Sequence, residues 1–180
     1  MASERTLTTH DVFELVMQCP HVSPDEIAGL LQRISQISHS GKTKRTILSK
    51  SIADDGERLV AILRVLDMLG LAKLANDTVA LTSGGEHYAR ATAHERKVIF
   101  ADQLKRNVPW VRLVQSEVAA HPQQEVRLQE FTTELYDRYP ASDVDHGLRH
   151  VIDWARYSGV FFYDDRTGVI FLQRRDHSNG

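Results

Sequence analysis

The stretch ERLVAILRVLDMLGLAKLANDTVALT, residues 57–82, decides the fold of this chain. Leu59, Ile62, Leu63, Leu66 and Leu69 recur at three- and four-residue spacing, the stripe that one face of an α-helix buries. Gly70 stands where a helix C-cap needs a residue free to take positive φ. Beyond it, the short apolar runs LAKLA and TVALT flank Asn76-Asp77, a dipeptide suited to closing a tight β-hairpin. The stretch is a helix that feeds a hairpin.

Upstream, SPDEIAGLLQRISQI reads as a helix with its own start signal. Ser23 suits the N-cap, Pro24 the first helical position, and Glu26 the third, where it closes a capping box. Ile27, Leu30, Leu31, Ile34 and Ile37 make the buried stripe, and Gly41 ends the element. HSGKTKR, residues 39–45, reads as a turn, followed by a short helix over roughly 44–52 and a polar break at Asp54-Asp55-Gly56. Three helices followed by a hairpin are the plan of a winged helix.

The second half repeats it. HERKVIFADQLKR is helical, Pro109 opens a helix through about Ala120, and His121-Pro122 breaks it. EVRLQEFTTELYDRY is amphipathic through Val126, Leu128, Phe131 and Leu135, and Ser142 is the expected cap of a helix running through DVDHGLRHVIDWARYSG. VFFY and VIFL flank DDRTG, a second hairpin in which Gly168 takes positive φ. VLDMLG and VIDWARYSG correspond, each a helix ending in glycine before a wing. The expected fold is α+β, mainly α, with two tandem winged-helix units at 22–93 and 94–173. An N-terminal extension, 1–21, and a disordered tail, 174–180, flank them.

Composition limits the functional classes. At 180 residues, 42% hydrophobic and 26% charged, the chain is a globular protein with room for one ordinary domain or two small ones. No apolar run approaches the roughly 18–20 residues that span a bilayer, and the N-terminus lacks a signal-peptide pattern, so a cytoplasmic location without membrane insertion is expected. Cys19 is the single cysteine, which excludes an intrachain disulfide. Net charge is −2, without the basic excess usual in a nucleic-acid binder. Locally, however, no acidic residue falls between Glu26 and Asp54, while Arg33, Lys42, Lys44, Arg45 and Lys50 do.

Five stretches carry a resemblance to a known family. DEIAGLLQRI (25–34), LDMLGLAKL (66–74), LTSGGEHYARA (81–91), ERKVIFADQLKRNVPWV (95–111) and IDWARYSGVFFYDDRTGVIFL (152–172) resemble the AAA-associated C-terminal domain. That domain is appended to ATP-binding subunits of nitrate/sulfonate/taurine-type ABC transporters. The resemblance covers roughly residues 22–172, and its specific blocks are Glu-Arg-Lys…Phe…Gln-Leu…Val-Pro and Ile-Asp-Trp-x-Arg-Tyr…Tyr-Asp-Asp-x-Thr-Gly. It implies a tandem winged-helix accessory module and brings no catalytic residues. The sequence departs from the pattern in lacking the ATPase domain, so the module is expected to stand alone or to come from a longer chain. It also departs in a basic second helix, KTKRTILSK.

Several constellations invite chemistry. Gly41-Lys42-Thr43 looks like the tail of a phosphate loop, but Gln36 stands where the motif needs glycine and the preceding segment is helical. Lys42, Lys44, Arg45 and Lys50 form a basic face for a polyanion or a protein partner, with plain solvation as the blander alternative. Helix 57–70 would be the recognition helix, and only Glu57, Arg58, Arg64 and Asp67 are polar within it. His146 and His150 stand at i and i+4, with Asp143 or Asp153 as a third ligand, and Cys19, His21 and His10 cluster near the start. This pattern is read as an exposed helix face, with no metal or other cofactor assigned. Trp110, Trp154, Tyr157, Phe161, Phe162 and Tyr163 are read as core and wing packing. Arg96 and Arg156 are expected to tie helices or units together through carboxylates such as Asp102 or Asp153.

The function expected is a non-enzymatic regulatory or protein-interaction module, docking on an ABC ATPase subunit or pairing as a dimer. The alternative is a DNA-binding winged-helix transcriptional regulator. A small-molecule sensor between the two units is a third reading.

Overall fold

The computed structural model describes residues 16–17, 21–38, 40–52 and 56–172. Cys19, His10, Asp54-Asp55, most of the expected extension and the expected tail lie outside them. The fold is α+β, mainly α. Its first half runs α1 (Pro24–Ile37), β1 (Lys42–Lys44), α2 (Arg45–Ile52), α3 (Glu57–Met68), β2 (Ala72–Ala75) and β3 (Thr78–Leu81). Two connecting helices follow, α4 (Ser83–Arg90) and α5 (Ala93–Asn107). The order helix, strand, two helices, hairpin then recurs as α6 (Pro109–Ala120), β4 (Glu125–Arg127), α7 (Gln129–Arg138), α8 (Ala141–Ser158), β5 (Phe162–Asp164) and β6 (Val169–Phe171). No described helix is long and apolar enough to cross a membrane.

The start of α1 follows its residues. The Ser23 Oγ accepts the Glu26 N–H, and the Glu26 carboxylate accepts the Ser23 N–H at 2.9 Å, a complete capping box. Thr92 and Glu95 repeat the device at α5. Helices α3 and α8 end alike. Gly70 and Gly159 take φ of 67° and 74°, and the next residue, Leu71 or Val160, donates back to Leu66 or Ala155. This is the Schellman closure, and Leu71 and Val160 are buried as the closure favours.

Each hairpin gains a third strand from the segment before its second helix, giving antiparallel sheets in the orders β1-β3-β2 and β4-β6-β5. The registers match residue for residue. Lys42, Ala80 and Lys73 stand across the first sheet where Glu125, Phe171 and Phe162 stand across the second. Thr43 and Val79 face the core as Val126 and Ile170 do. A two-residue loop, Asn76-Asp77, closes the first hairpin. In the second, Gly168 takes a φ of 69°.

Helices α4, α5 and α8 share one aromatic centre. Phe100 meets Trp154 and Tyr157 edge-on, with centroids at 6.2 and 5.5 Å, and leans on Tyr88 at 6.4 Å.

Four local expectations need correction. Residues 42–44, read as a turn, form strand β1 because they pair with β3. Likewise 125–127, read as helix, pair with β6. Helix α1 ends at Ile37, with Ser38 as its C-cap, and Gly41 belongs to the turn that follows. Ser142 does not cap α8: Pro140 holds the N-cap position, and the Ser142 hydroxyl bonds Asp143 instead.

Candidate interaction surface

Strand β1 alternates exposed Lys42, buried Thr43 and exposed Lys44, so both lysines leave the sheet on one face. The register places Lys73 of β2 on that face too, directly across Ala80 from Lys42. Lys73 escaped the sequence reading because no spacing links it to residue 42; only the register does. Arg45 and Lys50 diverge from this group. Arg45 is exposed at the start of α2 and lies 3.9 Å from Asp77 of the hairpin loop, and Lys50 is exposed farther along α2. The four cations grouped by sequence therefore become a sheet pair, Lys42 and Lys44, and a helix pair, Arg45 and Lys50. The Gly-Lys-Thr triplet is built wrongly for a phosphate loop, since Lys42 and Thr43 are strand residues where that motif opens a helix.

Helix α3 is turned inward. Leu59, Ala61, Ile62, Leu63, Val65 and Leu66 are buried, leaving Glu57 and Arg64 as its exposed polar residues. Arg58 is committed to α1, donating from Nε at 2.7 Å and from Nη2 to the Glu26 carboxylate. Burial alone would raise the Glu26 pKa. The hydrogen bonds from Arg58 and Ser23 outweigh it and hold the carboxyl below its usual value.

The histidine pair corrects the expectation of an exposed face. His150 is fully buried. Its Nε2 accepts the Val22 N–H at 3.1 Å, and its Nδ1 donates to the Val16 carbonyl at 3.3 Å. One turn on, Trp154 Nε1 donates to the Val22 carbonyl at 2.8 Å. Two side chains at i and i+4 on α8 thus clasp both backbone groups of Val22, fixing the segment before α1. His21 stacks on His150 at 4.6 Å and reaches Asp153 Oδ2 at 2.9 Å, while His146 meets the ring edge-on at 4.8 Å. Burial, followed by the neighbouring His21, pushes the His150 pKa down to about 4. With both nitrogens occupied by backbone, His150 has no lone pair to offer a metal. Among the described residues, no group of three or more His, Cys, Asp or Glu is placed to hold one.

The expected arginine ties are redirected. Arg96 donates to the Tyr88 carbonyl at 3.3 Å and lies over the Tyr88 ring, because Asp102, six residues along the same helix, faces elsewhere and pairs with Lys105 at 3.2 Å. Arg156 spans from α8 to the second hairpin, donating to the Tyr163 carbonyl and to Asp165 Oδ2 at 2.7 Å, since Asp153 is taken by His21. Of the aromatic set, Trp110, Trp154 and Phe161 are buried, and Tyr157, Phe162 and Tyr163 are half-buried, which leaves no stacking platform. Asp164 bonds the Arg166 N–H at 2.9 Å, an Asx turn at the hairpin tip.

These features define a mainly helical domain with two small antiparallel sheets, the first of which presents a cationic face. Residues 47–164, well over half of the chain, match the family model described as the C-terminal AAA-associated domain. The chain belongs to that family, whose members are accessory domains related to ABC-transporter ATPases. No curated protein and no solved structure matches it.

Proposed function

We propose that this chain is a non-enzymatic regulatory module, its repeated halves winged-helix units, that acts by contacting an ABC-transporter ATPase subunit. Family membership is the observation that carries this proposal. The geometry supports protein contact over base reading, because α3 lies in the core and its Arg58 is bound to Glu26. A recognition helix must instead present several free polar side chains to the major groove. The buried histidine and the arginines at the specific family blocks all have structural partners, which supports a role without catalysis.

Co-expression with ABC-transporter ATP-binding subunits of the nitrate/sulfonate type, followed by affinity purification, tests the proposal. Recovery of a stoichiometric complex is expected. A chain that stays monomeric and retains none of these subunits refutes it. The alternative of a DNA-binding regulator draws on the acid-free stretch 27–53. It predicts duplex affinity that falls steeply as salt rises, and it fails if no binding is seen at low salt.

A further inference from the structure

The two sheets are an internal control on one another. They share strand order and register, so their solvent-side faces can be compared position by position. On the second sheet this face is closed by Phe162 stacked on Phe171, with centroids at 5.8 Å, flanked by Glu125, Arg127 and Asp164. On the first sheet the same positions are Lys73 and Ala80, flanked by Lys42, Lys44 and Ala75. The scaffold therefore does not require lysine here. The fold tolerates an apolar stack with charges of both signs, yet one copy carries three cations and small residues.

The three ammonium groups are exposed, whereas nearby cations are engaged: Arg58 with Glu26 and Arg45 with Asp77. Lys42 and Lys44 are two residues apart on one strand, so their Cα atoms stand about 7 Å apart, and Lys73 lies two strand spacings away, about 10 Å. Ala80 and Thr78 of β3 lie between the lysine-bearing strands, leaving a shallow floor rather than a ridge. The patch is short. Asp77 bounds it at the hairpin tip, and Glu86 bounds it at Gly41, where a Cβ would meet Glu86 Oε1 at 2.9 Å.

We propose that this face docks an extended acidic segment of a partner protein, with carboxylates at alternating positions. This rests on the reading of the chain as a protein-interaction module. An extended chain repeats its same-face side chains at the spacing of Lys42 and Lys44, so two carboxylates meet two lysines without distortion. Lys73 takes a third carboxylate from across the floor. A nucleic acid fits less well: its phosphates continue past the patch toward Asp77 and Glu86, and the inward-facing α3 adds no base contact.

Fluorescence anisotropy with the full chain tests this, using a labelled (Glu-Ser)4 peptide, a (Gln-Ser)4 control and a 20-base-pair duplex. The acidic peptide should bind saturably at low salt and weaken as salt rises, and the glutamine peptide should not bind. The triple variant K42Q/K44Q/K73Q should lose at least tenfold in affinity while keeping the wild-type circular dichroism and melting temperature. The triple R90Q/R106Q/R112Q, which removes equal charge from exposed positions elsewhere, should bind as the wild type does. The proposal is overturned by absence of peptide binding, by equal loss in both triples, or by preference for the duplex. An ATPase subunit retained equally well by K42Q/K44Q/K73Q also overturns it, while leaving the interaction module intact. Failure of the wild type to retain any such subunit removes the broader reading instead.

Discussion

Protonating His150 would place an N–H at Nε2 directly against the Val22 N–H, so the clasp holds only the neutral ring. The sign of the pH effect follows. The folded pKa is near 4 and the ordinary value is 6.5, so between them the unfolded chain binds more protons than the folded one. Stability is therefore complete above about pH 7 and falls as pH drops from 6.5 toward 4. Between pH 7.5 and 5 the loss from this one group is about 2 kcal/mol. Urea unfolding at both values should show it. H150Q, whose amide can accept from Val22 and donate to Val16 without titrating, should lose less over the same interval; an equal loss would place the sensitivity elsewhere. Little of this residue's role was legible beforehand. HGLRHVIDW gives the right helical spacing for His146 and His150, but the backbone that His150 serves lies 128 residues or more away in sequence.

Elements were legible where local chemistry fixes them. The capping box at Ser23 and the glycine closures of α3 and α8 depend on residues within one turn, so the sequence states them directly. Strands β1 and β4 were not legible, because KTK and EVR carry no distinguishing pattern and become strands by pairing with β3 and β6. Helix α4 shows the same limit, since Gly84-Gly85 argues against a helix until its setting is known. A Cβ at Gly85 would stand 1.8 Å from the Leu71 carbonyl oxygen, so glycine is what lets α4 cross behind the hairpin. Chemical denaturation of three alanine variants should therefore separate three kinds of glycine. G85A should lose roughly 3 kcal/mol or more through backbone collision. G70A should lose about 1–2 kcal/mol, because its φ is left-handed. G29A, exposed in mid-helix with open space around its Cβ, should gain about 0.5–1 kcal/mol.

At the scale of the molecule, a repeated plan of helices ending in a hairpin was legible, while the third strand of each sheet and the burial of α3 were not. Its polar residues look available in sequence, and only packing shows Arg58 tied to α1 and the apolar residues spread around most of the helix. The Val22 clasp has a kinetic consequence. It joins residues 128 and 132 apart, whereas α8 is held by local bonds, so the clasp is expected to close after α8 has formed. Contacts absent from the transition state affect unfolding far more than folding. Stopped-flow chevrons of W154F, which loses only the bond to the Val22 carbonyl and some ring area, should show a faster unfolding limb beside a nearly unchanged folding limb. The clasp would then act as a lock on the finished fold, setting how long the protein stays folded rather than how quickly it gets there.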